Sequence, residues 1–235
     1  MPNEYISKEE MTRSRTPFEL MDWEKQKRRN IASTPEGESA LILNKGLAKQ
    51  FNEEIYPLAR FGCRKFGNTK QILLQPIIGS QNYDAVVTDL SSKPASQSYI
   101  EITQAHAGES DYLRRLVLER QGIVNGHGPV SKSGTKKTGR QVSVRRKAVS
   151  ANEVAKNELE KIVAAAKRKE AKDYPINTSL IIVFDDGVFF QLVVNDTNLD
   201  NHIKAYIPKL DLRFSTLYLV GWQNIFREFT LDKRT

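Results

Sequence analysis

The chain has 235 residues, 39% of them hydrophobic and 27% charged, with a formal net charge of +8. That length can bury a sizeable core, while the modest apolar fraction implies polar extensions around it. No apolar run approaches the roughly 20 residues of a membrane span, the opening Met-Pro-Asn-Glu-Tyr lacks the plan of a signal peptide, and the single cysteine, Cys63, excludes an internal disulfide or a cysteine-built zinc site. A cytoplasmic protein with no membrane contact is expected, and the surplus of cations points to a polyanionic partner, nucleic acid foremost.

Residues 1–39 read as a polar, peripheral arm containing one short amphipathic helix, in which Phe18, Met21 and Trp23 could dock on the domain or on a partner. Ser33-Thr-Pro-Glu-Gly then reads as a turn. From residue 40 to 235 a single α/β domain is expected. It opens with a long helix from about Ala40 to Lys65, since Leu47, Phe51, Ile55 and Leu58 recur at helical spacing. Glu54 falls beside that apolar face. It reads either as a surface carboxylate at the core edge or as an acid directed at a site further along.

Gln71–Ile78 predicts a first strand, with Pro76 favouring an edge or a bulge. Tyr83–Leu90 and Ser98–Thr103 predict the next two. Asp84 leads into Ala-Val-Val-Thr, and Glu101 stands between Ile100 and Ile102, so each carboxylate belongs to a strand whose neighbours point into a core. Such placement is costly without a metal, a basic partner or a raised pKa. If the two strands pair, both acids can converge on one divalent cation.

Glu109–Arg120 predicts a helix. The stretch from Gly122 to Asn152 contains no acidic residue and carries Lys132, Lys136, Lys137, Arg140, Arg145, Arg146 and Lys147. Its core, 122–149, reads as a basic arm whose hydroxyls, glycines and long cations suit phosphate oxygens; a solvated basic loop has the same composition. Ser150-Ala-Asn-Glu153 is a capping box opening a helix to about Lys172, with Val154, Leu159, Ile162 and Val163 as its buried stripe. Thr178–Phe184 is a nearly continuous apolar run, the mark of a strand buried on both faces. A segment over Phe189–Val194, a helix near Asn198–Ile207 and a strand at Ser215–Val220 extend the sheet.

Helix, three meandering strands, helix and buried strand, with Asp84 on the second strand and Glu101 on the third, resembles the PD-(D/E)XK nuclease superfamily over residues 40–184. The resemblance implies a restriction-endonuclease-like mixed central sheet flanked by helices, an α-β-β-β-α-β core with a C-terminal extension of strands and a helix. It implies a divalent-metal-dependent endonuclease, hydrolysing phosphodiester bonds in DNA ahead of RNA. Asp84, Glu101 and the Ile102 carbonyl would hold Mg2+ or Mn2+, with Glu54 as the first-helix acid. The family's lysine position holds Thr103, so Gln104, His106 or a lysine from another element would have to assist the water. His106 reads equally as a polar loop residue. The Thr103 and His106 pairing is also similar to very-short-patch repair endonucleases, and Tyr-x-Glu-Ile-Thr followed by a Ser-Gly-Thr-Lys loop resembles uncharacterised bacterial and phage-encoded proteins. A degenerate relative that binds nucleic acid or a protein partner without cutting is the alternative. A homodimer accords with the family, although no heptad or interface stripe argues for one.

Overall fold

The apolar runs form one sheet. The computed structural model describes residues 5–124, 126–134, 141–190 and 195–231. Its strands are β1 (Ile72–Pro76), β2 (Ala85–Asp89), β3 (Ser96–Gln104), β4 (Val130–Ser133), β5 (Gln141–Val144), β6 (Thr178–Phe184), β7 (Thr216–Gly221) and β8 (Phe226–Thr230). Six of them stand in the order β1-β2-β3-β6-β7-β8, and β4 pairs with β5 in a separate ribbon. The first three make an antiparallel meander, β3, β6 and β7 run parallel, and β8 returns antiparallel to β7. This is a mixed central sheet flanked by helices, as expected.

The helices are α1 (Lys8–Thr12), α2 (Pro17–Ala32), α3 (Pro35–Leu43), α4 (Leu47–Gln50), α5 (Tyr56–Phe66), α6 (Glu109–Gln121), α7 (Ala151–Lys167) and α8 (Asn195–Tyr206). Strand alternation sends Ile100, Ile102, Ile181, Val183, Tyr218 and Val220 into a core with Leu20 of α2 and Leu58 and Phe61 of α5. The opposite face sends Leu180, Ile182, Phe184, Leu217 and Leu219 into a second core with Ile162 of α7 and Leu199 and Ile203 of α8. Parallel pairing of β3 with β6 needs a long crossover, which α6, the β4–β5 ribbon and α7 supply. No helix among the described residues is long and apolar enough to cross a membrane.

Residues 5–39 pack on the domain and are not a peripheral arm. Met11, Leu20 and Ile31 are fully or almost fully buried in the same cluster as Phe51 and Leu58, and Arg15 exchanges backbone hydrogen bonds of 3.0 and 2.8 Å with Leu74 of β1. Polar composition hid a narrow apolar stripe on α2. Thr16 and Thr34 are N-caps, each followed by proline in the first turn, so the Ser33-Thr-Pro-Glu-Gly segment starts a helix as well as ending one.

The long helix expected over 40–65 is interrupted. Asn44 takes a left-handed conformation (φ 51°) and closes α3, and Gly46 (φ 53°) starts α4. A π-helical turn, Phe51–Ile55, then leads into α5. The buried face of α7 also differs: Ala155, Glu158, Ile162, Ala165 and Ala166 face the sheet, because alanines let the helix axis approach strands already filled by Ile and Phe. That helix stops at Lys167, short of the expected Lys172. Gly187–Phe190 is a 3-10 turn, while 191–194 lie outside the described residues. Strand β8 was not anticipated, since Phe226–Thr230 is short and half-exposed.

Candidate functional site

The site lies where β2 parts from β3. The ladder begins at Ala85 opposite Ile100, so Ile102, two residues further along β3, has no β2 backbone beside it. Asp84 fills the place: its N–H donates to the Ile100 carbonyl at 2.7 Å, and its Oδ2 accepts the Ile102 N–H at 2.7 Å. The N–H and C=O of one strand residue point the same way, so the Ile102 carbonyl faces this gap too.

Glu101 points to the opposite side of β3 from Ile100 and Ile102, towards α7, and is only 8% exposed. Its carboxylate Oε1 accepts from Lys169 Nζ, just beyond the end of α7. The connection from α7 to β6 is laid across the site like a strap. Arg168 donates to the Gln104 carbonyl at 2.7 Å, Asn82 Nδ2 donates to the Asp173 carbonyl at 2.9 Å, and Tyr99 N–H donates to the Asn177 carbonyl at 3.3 Å. Tyr174 lies within this strap, its ring 4.3 Å from that of Phe214. The Tyr174 hydroxyl is buried and has no hydrogen-bond partner among the described residues. Burial, then the charges of Glu101 and Asp84, push its pKa upward, so it stays a phenol and a donor.

Glu54 arrives from the other layer. An α-helical path through Pro57 would leave the Glu53 carbonyl without a donor, because proline has no N–H. The chain widens to a π-turn instead, with Tyr56 N–H reaching back to the Phe51 carbonyl, and Gln104 Nε2 of β3 donates to the Glu53 carbonyl at 2.8 Å. Gln104 thus fastens the turn carrying Glu54 to the strand carrying Glu101. Burial pushes the Glu54 pKa up to about 8, with Asp84, Glu53 and Glu101 adding to the rise and Lys49 opposing it. Burial and then Glu101 push Asp84 up to about 6, against the Ile102 hydrogen bond and Lys169.

Three carboxylates therefore share one region of low polarity with one ammonium. Among the described residues no three His, Cys, Asp or Glu side chains form a group that could hold a metal ion, so Glu54 does not join Asp84 and Glu101 in such a group. The remaining donor set, two carboxylates and a main-chain carbonyl, consists of hard oxygens. Oxygens of this kind are the donors that hard divalent cations take.

Thr103 is buried on the same side of β3 as Glu101. His106 is exposed beyond the strand, where its Nδ1 accepts the Gly108 N–H at 3.0 Å and helps start α6. Lys169 and Tyr174 were missed in the sequence. Lys169 sits in the run Lys-Arg-Lys-Glu-Ala-Lys, where nothing distinguishes it from its neighbours, and only the landing of α7 selects it.

The basic segment forms the β4–β5 ribbon, which joins α6 through Arg114 donating to the Gly128 carbonyl at 2.7 Å. Lys132 pairs with Glu109 and Lys147 with Glu153. Arg145 and Arg146 are exposed. Lys136, Lys137 and Arg140 lie outside the described residues.

No family profile, no curated protein and no solved structure matches the chain.

Proposed function

We propose that the protein is a divalent-metal-dependent nuclease of restriction-endonuclease-like topology, hydrolysing phosphodiester bonds in DNA or RNA. The observation that carries this reading is the meeting of Asp84, Glu101 and Lys169 at the parting of β2 and β3. Asp84, Glu101 and the Ile102 carbonyl would hold Mg2+ or Mn2+, which supplies positive charge against a phosphoryl oxygen and lowers the pKa of a water. Lys169, delivered by the strap, takes the part of the lysine that position 103 lacks: it pairs with Glu101 and offers an ammonium to developing negative charge. The Tyr174 hydroxyl, with no other partner, donates to an oxygen entering between the acids. Gln104 acts at a distance, by fixing the turn of Glu54, and Thr103 packs beneath Glu101. His106 lies at the entrance to α6, and the cations of 122–149 give the polyanion a landing surface.

The non-cleaving alternative has its own support, since the Lys169 ammonium pairs directly with Glu101. Incubation of the chain with duplex DNA, single-stranded DNA and RNA in Mg2+ or Mn2+ separates the two. Cleavage by the wild type that disappears in Asp84→Ala upholds the enzyme; no cleavage of any substrate sinks it.

A further inference from the structure

Trp222 directly follows β7, at the end of the sheet where the parallel strands β3 and β6 also finish. Its indole stacks on Tyr56, with centroids 5.3 Å apart and planes 20° from parallel, yet it remains 42% exposed. The Arg28 guanidinium lies 5.0 Å from the Tyr56 ring centroid and that of Arg60 5.5 Å away. Arg28 is steadied by Glu24 at 2.6 Å and Asn52 at 2.8 Å. Arg60 Nε is buried without a hydrogen-bond partner among the described residues.

The loop behind the indole is held from both sides. Asp186, fully buried, accepts the N–H groups of Gln223, Asn224 and Ile225 at 2.7, 2.8 and 2.8 Å. Arg60 donates to the Gln223 carbonyl, and Arg64 donates to the carbonyls of Gln223, Asn224 and Ile225 at 2.7, 2.8 and 2.8 Å. Gly221 makes room for this carboxylate, since a Cβ there would stand 2.2 Å from Asp186 Oδ2. Six main-chain groups are thus tied down to hold one large ring partly in water. Two guanidiniums lie by the Tyr56 ring and a third, Arg64, holds the loop, against two buried carboxylates, Glu24 and Asp186.

A fixed aromatic face beside cations is complementary to a nucleobase and its phosphates, and any base has a face to offer. Tyr56 stands two residues after Glu54, on the turn that Gln104 fastens to β3.

We infer that Tyr56 and Trp222 form a stacking platform for an unpaired base of a nucleic-acid strand, with Arg28 and Arg60 beside its phosphates. This rests on the nucleic-acid partner proposed above. The test uses the full chain with metal chelated, so that binding is read without cleavage, and titrates a short oligodeoxythymidylate and a duplex of equal length. The single strand quenches wild-type tryptophan emission, and this quench is absent in Trp222→Phe, whose remaining Trp23 is packed against Phe51 and Arg15. Trp222→Ala weakens single-strand binding about 10-fold, while Trp222→Phe retains most of it and shows that the loop still folds. Duplex affinity stays within about twofold in both.

Wild-type binding that Trp222→Ala leaves unchanged overturns the platform and leaves the nuclease reading standing. Wild type that binds neither nucleic acid removes both. Self-association lost in Trp222→Ala, seen by sedimentation, overturns the platform in favour of a second copy of the chain.

Discussion

Asp84 Oδ2 accepts the Ile102 N–H at 2.7 Å while the Asp84 N–H donates to the Ile100 carbonyl at 2.7 Å, so one residue closes the end of the β2–β3 ladder with its side chain and its main chain together. The same carboxylate is the leading candidate for holding a cation, and the two duties can be pulled apart by choice of substitution.

Asp84→Asn keeps an acceptor for Ile102 and removes a charge, whereas Asp84→Ala leaves that N–H unpaired. The alanine variant should lose about 1–3 kcal/mol of stability in urea melts and the asparagine variant little or none. Both should lose cleavage. Equal stability of the two variants would show that the Ile102 bond contributes nothing.

Stability should fall as pH rises from about 4 to about 8. The folded chain holds protons on Glu54 (about 8, against the ordinary 4.5) and Asp84 (about 6, against 3.8) that the unfolded chain has already released. With more protons bound in the folded state, unfolding becomes easier with each step up in pH, by at most about 1.4 kcal/mol per unit for each such group. The cost is complete above about pH 8. Glu54→Gln should flatten the upper part of this slope, and urea melts at pH 5 and pH 8 measure it. A wild type steeper towards alkali than the variant agrees; parallel slopes contradict it.

Lys169→Met keeps the stem of the side chain and deletes its charge. Glu101 is then left unpaired in a mostly buried region with two other acids, so a loss of about 3 kcal/mol is expected, with cleavage abolished. Millimolar Mn2+ should raise the melting temperature of this variant more than that of the wild type. A variant as stable as wild type and indifferent to Mn2+ would remove Lys169 from the site.

Tyr174→Phe deletes a buried hydroxyl that makes no hydrogen bond among the described residues, so stability should change by less than about 1 kcal/mol, or rise. If that hydroxyl donates to substrate, cleavage should drop about 100-fold at unchanged stability. Full activity in the phenylalanine variant would make Tyr174 a packing residue only.

The central strands were legible because their signal is local. Thr178–Phe184 is apolar from Leu180 onward, and its residues are buried on both faces of the sheet. Asp84 and Glu101 stood out for a local reason too, as acids directly beside apolar strand residues, Ala85 to Val87 and Ile100 with Ile102. What escaped notice depends on contacts distant in sequence. Lys169 becomes distinct only when the connection after α7 crosses β3, 68 residues away in sequence from Glu101. The π-turn at Glu54 requires both Pro57 and the amide of Gln104, 51 residues beyond Glu53, which no helical periodicity reports. The N-terminal segment was misjudged because four buried residues of α2, Pro17, Leu20, Glu24 and Ile31, are outnumbered by charges on its open side.

The two outer edges of the sheet are guarded differently. At β8 the protection is electrostatic: Arg227 pairs with Asp200 at 3.3 Å and Glu228 with Lys65 at 2.7 Å, and charged side chains discourage another strand from docking. At β1 it is the chain's own Arg15, bridged to Leu74, that occupies the open backbone groups. Shortening the chain past Arg15 would therefore uncover a flat edge carrying a fully buried leucine. Its first consequence would be aggregation by strand pairing, arising on the side of the sheet away from Trp222.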